Sequence, residues 1–126
     1  MIAASTPHGN PIVGSFLRGQ RVIEDLSPTE IKETPVNEPL VNWHSFDGQL
    51  ALDALWESGG WATYASDRRM TGFSRMLAQE EGLLVLPASA SALAAIDSYL
   101  RDKERSSGAG SCVAVLTARR PVPRRH

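Results

Sequence analysis

The sequence predicts an α/β fold in three layers, with a short parallel sheet between helices. From Asp47 onward, stretches with helical spacing of apolar residues alternate with short apolar runs, in the order helix, strand, helix, strand, helix, strand. The short runs are apolar at every position, as expected of strands buried on both faces. A length of 126 residues, with 42% hydrophobic and 21% charged residues, suits one domain or part of a larger one.

Residues 1–45 are predicted to form an extended arm, a short helix and an acidic connector. Residues 1–10 contain proline, glycine, serine and asparagine, which favour irregular structure. Pro11 suits the first position of a helix, and Gly19 suits its end. Residues 24–39 hold three prolines and many acids without a clear period, so this connector is expected to be extended.

Residues 46–118 are predicted to form the α/β core. The expected strands are the apolar runs Trp61–Ala65, Leu83–Leu86 and Cys112–Leu116. The expected helices run between capping and stop signals: from Ser45 or Asp47 to Ser58-Gly59-Gly60, from Ser66-Asp67 to Gly82, and from Pro87 or Ser89 past Leu100. Each signal is local, so each element is predicted independently of the others.

Three short strands of this kind raise a problem of coverage. Strands that are apolar throughout need helices on both faces and neighbouring strands at both edges. Three helices barely meet that demand, so an apolar surface is expected to remain uncovered. We therefore expect a homo-oligomer, or a companion chain that covers the sheet.

The charges are unevenly distributed along the chain. Residues 20–60 hold eight carboxylates and two bases, whereas residues 119–126 form a basic tail with four arginines and no acid. Such a tail can bind nucleic acid or an acidic surface, or it can be a solvated terminus. A net charge of −1 makes nucleic acid an unexpected main partner, because phosphate binding needs a surplus of Lys and Arg.

Several classes of protein do not fit the sequence. No apolar run approaches the roughly 20 residues that span a bilayer, and the first residues lack the basic and apolar regions of a signal peptide. Cys112 is the single cysteine, so an intramolecular disulfide is excluded and the cytoplasm is the expected compartment.

No independent active site can be recognised. The three histidines lack metal-type spacing to other ligands, so no metal site is predicted. Phosphate loops and dinucleotide fingerprints are absent from the sequence. Lys32 and Lys103 are the two lysines, and both lie among charged residues that favour the protonated amine. We predict no catalytic residue in this chain.

A series of short motifs carries more information. In order, they are Asn10-Pro11-Ile12 with Phe16 and Gly19, Ser58-Gly59-Gly60, Ser66-Asp67, Glu80-Glu81-Gly82, Pro87-Ala88-Ser89-Ala90 and Val113-Ala114-Val115-Leu116-Thr117. Their order and spacing resemble the carboxy-terminal part of threonine synthase and its relatives among the fold type II (tryptophan synthase β-like) pyridoxal-phosphate enzymes. The resemblance covers about nine tenths of the chain and is strongest over residues 51–117.

The resemblance implies a pyridoxal-phosphate site of which this chain supplies a small part. The family's Schiff-base lysine, asparagine and glycine-rich phosphate loop lie upstream of the matched region and have no counterpart here. Thr117 holds the position of the family threonine that donates a hydrogen bond to the pyridine nitrogen, and the Ser89 hydroxyl is expected to face the same pocket. The alternatives are that Thr117 is an ordinary strand-end residue and that Ser89 caps the following helix.

Two departures from the family pattern weaken the site. Leu86 replaces the family acid before Pro-Ala-Ser, so a polar group near the cofactor is lost. Residues 118–123 replace a glycine-containing loop, which removes the close backbone approach that glycine permits.

The leading hypothesis is a truncated or split threonine synthase-like lyase segment of amino-acid metabolism, inactive alone. On this hypothesis pyridoxal phosphate binds only if a partner chain supplies the lysine. The alternative is a non-catalytic interaction or dimerisation module derived from the same fold.

Overall fold

A computed structural model describes residues 1–102, 108 and 110–121. Over these ranges the protein is α/β, with four α-helices and one short parallel sheet. The strands are β1, Ile2–Ser5, and β2, Trp61–Tyr64; the helices are α1, Pro11–Leu17; α2, Gly48–Glu57; α3, Asp67–Glu81; and α4, Ser91–Arg101; a single 3-10 turn covers Glu38–Leu40. The predicted fold class and short parallel sheet are confirmed. None of the described helices is long and apolar enough to cross a membrane.

The sheet pairs the start of the chain with its middle. β1 lies parallel to β2, with Ile2 opposite Trp61 and Ser5 opposite Tyr64. The prediction that residues 1–10 form an irregular arm is therefore wrong for β1. The four residues Ile-Ala-Ala-Ser have no strand pattern of their own. They form a strand because β2, which lies 59 positions further along the chain, hydrogen-bonds to them.

Helices pack on both faces of the sheet. Side chains alternate between the faces of a strand, so Trp61 and Tyr64 point in opposite directions. The Trp61 ring packs edge-on against Tyr99 of α4, with 5.6 Å between ring centroids. On the other face, the Tyr64 hydroxyl lies beside Gly14 of α1. Helices α3 and α4 thus cover one face, and α1 with its neighbour α2 covers the other.

The helix ends follow the local signals. Asn10 Oδ1 accepts hydrogen bonds from the amides of Ile12 and Val13, at 2.9 and 3.3 Å, and begins α1. Ser66 Oγ accepts a bond from the Arg69 amide and begins α3, which ends at Gly82 in the left-handed conformation with φ of 65°. The predicted extents of α1, α2, β2 and α3 are confirmed to within a few residues.

An arginine holds α3 against α4. The Arg69 guanidinium donates to Asp97 Oδ2 at 2.7 Å, to Ser98 Oγ at 2.6 Å and to the Ala94 carbonyl oxygen at 3.1 Å. Met70 on the same helix is fully buried and packs with Ala65 and Ala94. These contacts fix the position of α4 over the sheet.

Two predicted strands are wrong. Residues 83–86 form only an isolated antiparallel bridge, between Val85 and Arg119, instead of a parallel strand. Residues 112–116 form no strand in the described part of the chain, and Val113 and Val115 are 86% and 72% exposed. An apolar run becomes a strand only where another segment offers a ladder of hydrogen bonds, and residues 83–86 find only the two backbone bonds around the Val85–Arg119 bridge.

Candidate functional site

The structure brings Ser89 and Thr117 together. Ser89 lies in the turn before α4, is 7% exposed, and its Oγ accepts hydrogen bonds from the backbone amides of Thr117 at 2.8 Å and Ala118 at 3.3 Å. We call this arrangement of Ser89, Thr117 and Ala118 the hydroxyl clasp. It joins the start of α4 to the last described segment of the chain, 28 residues further along.

Backbone hydrogen bonds on either side of the clasp keep it in register. The Leu86 amide donates to the Ala118 carbonyl oxygen at 3.1 Å, and the Arg120 amide donates to the Leu84 carbonyl oxygen at 2.9 Å. Ser74 of α3 donates its hydroxyl to the Val85 carbonyl oxygen at 2.8 Å. Helix α3 therefore positions one side of the clasp through a buried side-chain bond.

Helix α4 begins later than predicted, and Ser89 does not cap it. The helix starts at Ser91, and its N-cap residue is Ala90, which has no side-chain oxygen to accept an amide bond. The Ser89 hydroxyl is directed to Thr117 and Ala118 instead. The capping alternative for Ser89 is therefore wrong. The backbone amides of Thr117 and Ala118 share the Ser89 Oγ as their hydrogen-bond acceptor within the described residues.

The clasp lies at one wall of a cleft of about 750 Å³. A second wall is the face of α4 that carries Ala92, Ala95 and Tyr99, and a third is β1 with Ile2 and Ala4. Residues 110–115 and Thr117 also line the cleft. A cleft of this size falls within the range of about 300–1,000 Å³ that is usual for small-molecule and cofactor sites.

The lining chemistry is neutral. The described lining side chains include no carboxylate, guanidinium, imidazole or lysine amine. Both acceptor positions of Ser89 Oγ are used by amides, so its O–H is the group left to donate a hydrogen bond into the cleft. Thr117 is solvent-exposed at the same wall. This arrangement can orient a polar ligand, and the titratable side chains among the described lining residues are the Tyr99 phenol and the Cys112 thiol.

The outer edge of β1 opens toward the cleft. The Met1 and Ser5 carbonyl oxygens accept from the amides of Trp61 and Ala65, at 3.0 and 2.7 Å, so odd-numbered residues of this strand face β2. In a parallel pair the alternate residues point their amides and carbonyls the other way. Ile2 and Ala4 therefore direct their backbone groups away from β2, and both residues line the cleft. An additional strand can hydrogen-bond there.

A second polar cluster, which was not predicted from the sequence, lies at the carboxyl ends of β1 and β2. Asn37 is buried; its Nδ2 donates to Thr6 Oγ1 and to the Lys32 carbonyl oxygen, both at 3.0 Å. Thr34 donates its hydroxyl to Asp67 Oδ2 at 2.7 Å, which ties the connector to the first turn of α3. The spacing of Thr34 and Asn37, three residues apart beside Pro35, is a turn signal that could have indicated this anchor. Its bonds are structural, because they fold the acidic connector on itself and fasten it to Thr6, just after β1, and to the first turn of α3.

The structure also locates the cysteine and the other candidate ligands and bases of the sequence. Cys112 is exposed and lines the cleft, and it is a free thiol. Within the described ranges no three His, Cys, Asp or Glu residues are placed to hold a metal ion. Lys103 and residues 122–126 of the basic tail lie outside the described residues, whereas Arg119 and Arg120 are exposed.

Comparison with known proteins supports a relationship to threonine synthase. The chain is 33% identical over 101 residues to the threonine synthase of Methanocaldococcus jannaschii, a match that covers 73% of this chain and 22% of that enzyme. The chain thus spans about a fifth of the length of this relative, which is consistent with a fragment of such an enzyme. No family model matches the chain, and no solved structure matches it.

Proposed function

We propose that this chain is a segment of a threonine synthase-like, pyridoxal-phosphate-dependent lyase of fold type II that is inactive alone. The observation that carries the proposal is the hydroxyl clasp, which places Ser89 and Thr117 on one wall of a cleft of cofactor size. The match to a threonine synthase supports the same assignment. We place its action in the cytoplasm, in amino-acid metabolism.

The described residues fit a minor share of a pyridoxal-phosphate site. The Ser89 O–H remains available as a donor, and Thr117 is exposed beside it. Pyridoxal phosphate, when bound, supplies the electron sink for elimination or replacement on an amino acid. This chain would contribute neutral hydroxyls that orient the ring, and a partner chain would supply the lysine. Lys32 is not among the described residues that line the cleft.

The open edge of β1 is the place where a companion chain would dock. Two strands form a marginal sheet, and isolated two-stranded pairs have little stability of their own. The backbone groups of Ile2 and Ala4 offer hydrogen bonds to a further strand at the cleft. A companion that adds a strand there would also wall off the cleft from water, which favours cofactor chemistry.

The test is recovery of the companion. The tagged chain, expressed at its native level in its own cells, is purified with its partners, reduced with borohydride and analysed by mass spectrometry. We expect a stoichiometric partner whose lysine carries a reduced pyridoxyl group. Recovery of a colourless chain that associates only with itself would contradict the proposal of a split enzyme.

The role of Thr117 is tested on the recovered complex. The variant Thr117→Ala should shift the absorption band of the bound cofactor, because the hydroxyl next to the ring nitrogen is lost. Thr117→Ser keeps that hydroxyl and is the matched control, which should retain the original band. Equal spectra for both variants would mean that Thr117 does not meet the ring.

The second candidate is a non-catalytic interaction module derived from the same fold. The neutral lining of the cleft favours it, as does Leu86 at the position where the resembling family has an acid. This candidate predicts a stable, colourless assembly with no affinity for pyridoxal phosphate in equilibrium dialysis.

A further inference from the structure

A small basic cleft lies between α3 and the last described segment of the chain. We define this basic cleft by three of its lining residues, Thr71 and Arg75 of α3 and Arg120 of the last segment. Its volume is about 160 Å³, and no carboxylate is among the described residues that line it. None of those residues lines the larger cleft beside the hydroxyl clasp, so the basic cleft is a separate candidate site.

One face of α3 forms a wall of the basic cleft. The lining residues of this helix are Thr71, Ser74, Arg75 and Ala78. They are spaced three and four positions apart, so they lie on the same side of the helix. The Ser74 hydroxyl is buried and donates to the Val85 carbonyl oxygen at 2.8 Å. This bond keeps the segment around Val85 in contact with the wall.

Arg120 lines the basic cleft from the other segment. Its backbone amide donates to the Leu84 carbonyl oxygen at 2.9 Å, and the Leu86 amide donates to the Ala118 carbonyl oxygen at 3.1 Å. These two bonds fix the backbone from which the Arg120 side chain extends. The tertiary structure therefore brings two arginines, which are distant in the sequence, to the same small cleft.

The polar groups of the basic cleft are unpaired within the described ranges. Neither guanidinium, of Arg75 or of Arg120, forms an ion pair or a hydrogen bond there, and the Thr71 hydroxyl forms none. By contrast, Arg69 and Arg101 both donate to one carboxylate. Like charges repel each other, so two guanidinium groups at one small cleft favour the binding of an anion.

The donors of the basic cleft match a tetrahedral oxyanion. A guanidinium presents a planar fork of N–H donors that fits two oxygens of a phosphate, and it gives up its hydration more readily than an ammonium does. A phosphate monoester carries a charge of about −1.5 to −2 at pH 7, which balances two guanidinium groups, whereas a carboxylate carries one charge.

The size of the basic cleft agrees with this ligand. Its volume of about 160 Å³ equals that of about five water molecules at roughly 30 Å³ each. A phosphoryl group with its oxygens has the same number of heavy atoms. The rest of an organic phosphate would then lie outside the cleft.

We propose that the basic cleft binds a phosphoryl group, either of free phosphate or of a small organic phosphate. The guanidinium groups of Arg75 and Arg120 bind its oxygens from two segments, and the Thr71 hydroxyl donates to a further oxygen. The bound group links α3 to the last described segment and so stabilises the pairing of residues 84–86 with residues 118–120. The proposal does not depend on a cofactor or on a companion chain.

Isothermal titration calorimetry of the full chain with inorganic phosphate tests the site. We expect saturable one-to-one binding at a constant ionic strength of about 0.15 M, where distant charges are largely screened. Arg75→Gln and Arg120→Gln should each weaken binding by about tenfold or more, because each removes charge-assisted hydrogen bonds. Both side chains are exposed, so circular dichroism should show unchanged folding.

Arg68→Gln is the matched control variant. Arg68 is exposed on the same helix and carries the same charge, but it is not among the described residues that line the basic cleft. Its replacement should change the affinity by less than about twofold. Equal losses in Arg68→Gln and Arg75→Gln would mean that positive charge in general attracts the anion, which would overturn the proposal. Absence of saturable binding would overturn it as well.

Two other ligands test the chemical class. Acetate should bind at least about tenfold more weakly than phosphate, and equal affinities would contradict a phosphoryl site. Methyl phosphate distinguishes the two sources of the group. An affinity equal to that of phosphate indicates an organic phosphate, and an affinity at least about tenfold lower indicates free phosphate.

Amide hydrogen exchange locates the bound group. Saturating phosphate should slow exchange at the amides of Leu86 and Arg120, because it holds together the segments that these amides join. Exchange at the Trp61 amide, in the sheet, should stay the same. Unchanged exchange at Leu86 and Arg120 in the saturated protein would place the phosphate elsewhere and contradict the proposal.

Discussion

Replacing Ser89 with alanine tests whether the hydroxyl clasp holds the last described segment in place. Ser89→Ala removes one oxygen that accepts two backbone amides, from Thr117 at 2.8 Å and Ala118 at 3.3 Å. A buried amide left without an acceptor costs about 1–3 kcal/mol, but Thr117 is solvent-exposed and water can reach its amide. The bond to Ala118 is long and contributes less. We therefore expect the free energy of unfolding to fall by about 1–2 kcal/mol.

Urea denaturation and amide hydrogen exchange provide the measurements. The midpoint of the urea transition should fall while its slope is unchanged, since the same surface is exposed on unfolding. Exchange at Thr117 and Ala118 should accelerate more than exchange in α3, because local release of the segment needs less energy than global unfolding. Ser91→Ala is the matched control: Ser91 is equally buried and lines the same cleft, but takes no part in the clasp.

Two results would refute this reasoning. One is a loss of stability below about 0.5 kcal/mol, the usual range of surface substitutions. The other is unchanged exchange at Thr117 and Ala118 in Ser89→Ala, which would mean that the backbone bonds between 84–86 and 118–120 hold the segment without the hydroxyl.

Four further substitutions test the sheet and its surroundings. Gly60→Ala should destabilise the protein by about 2 kcal/mol in thermal denaturation, because the new Cβ would lie 2.6 and 2.7 Å from two backbone carbonyl oxygens; a wild-type midpoint would contradict that geometry. Ser74→Ala should cost about 1–2 kcal/mol in urea, since the buried Val85 carbonyl oxygen loses its bond at 2.8 Å; an unchanged midpoint would count against this bond. Ala4→Pro should leave the sheet largely intact but block a further strand, whereas Ala3→Pro should unfold the sheet at a cost of about 3 kcal/mol. Equal losses for the two prolines would contradict the assigned direction of the backbone groups.

The four helices are predictable because their signals are local. Asn10, Ser66 and Gly82 act within four residues of the helix ends that they define, and an apolar face repeats through each helix. β2 is predictable for a related reason, since it is a short apolar run between a glycine stop and a serine cap.

The sequence predicted which residues belong to the candidate site but not the contact between them. Motif resemblance singled out Ser89 and Thr117 separately, and the structure places the Ser89 hydroxyl on the Thr117 amide. That contact joins residues 28 positions apart and depends on Ser74 and on the bonds of residues 84–86. Ser89 does not cap α4. Its residue type shows only that its hydroxyl can accept a hydrogen bond from a backbone amide, whereas tertiary packing determines which amide donates that bond.

The amino-acid sequence by itself determined the fold class, the helices, the uneven charge and the two residues at the cleft. The tertiary structure alone decided that Ile2–Ser5 is a strand, that residues 83–86 and 112–116 are not strands, and that the outer edge of β1 is open. The physical reason is the same in each case. A helix satisfies its own backbone hydrogen bonds within four residues, whereas a strand exists only where another segment, distant in sequence, offers it a partner.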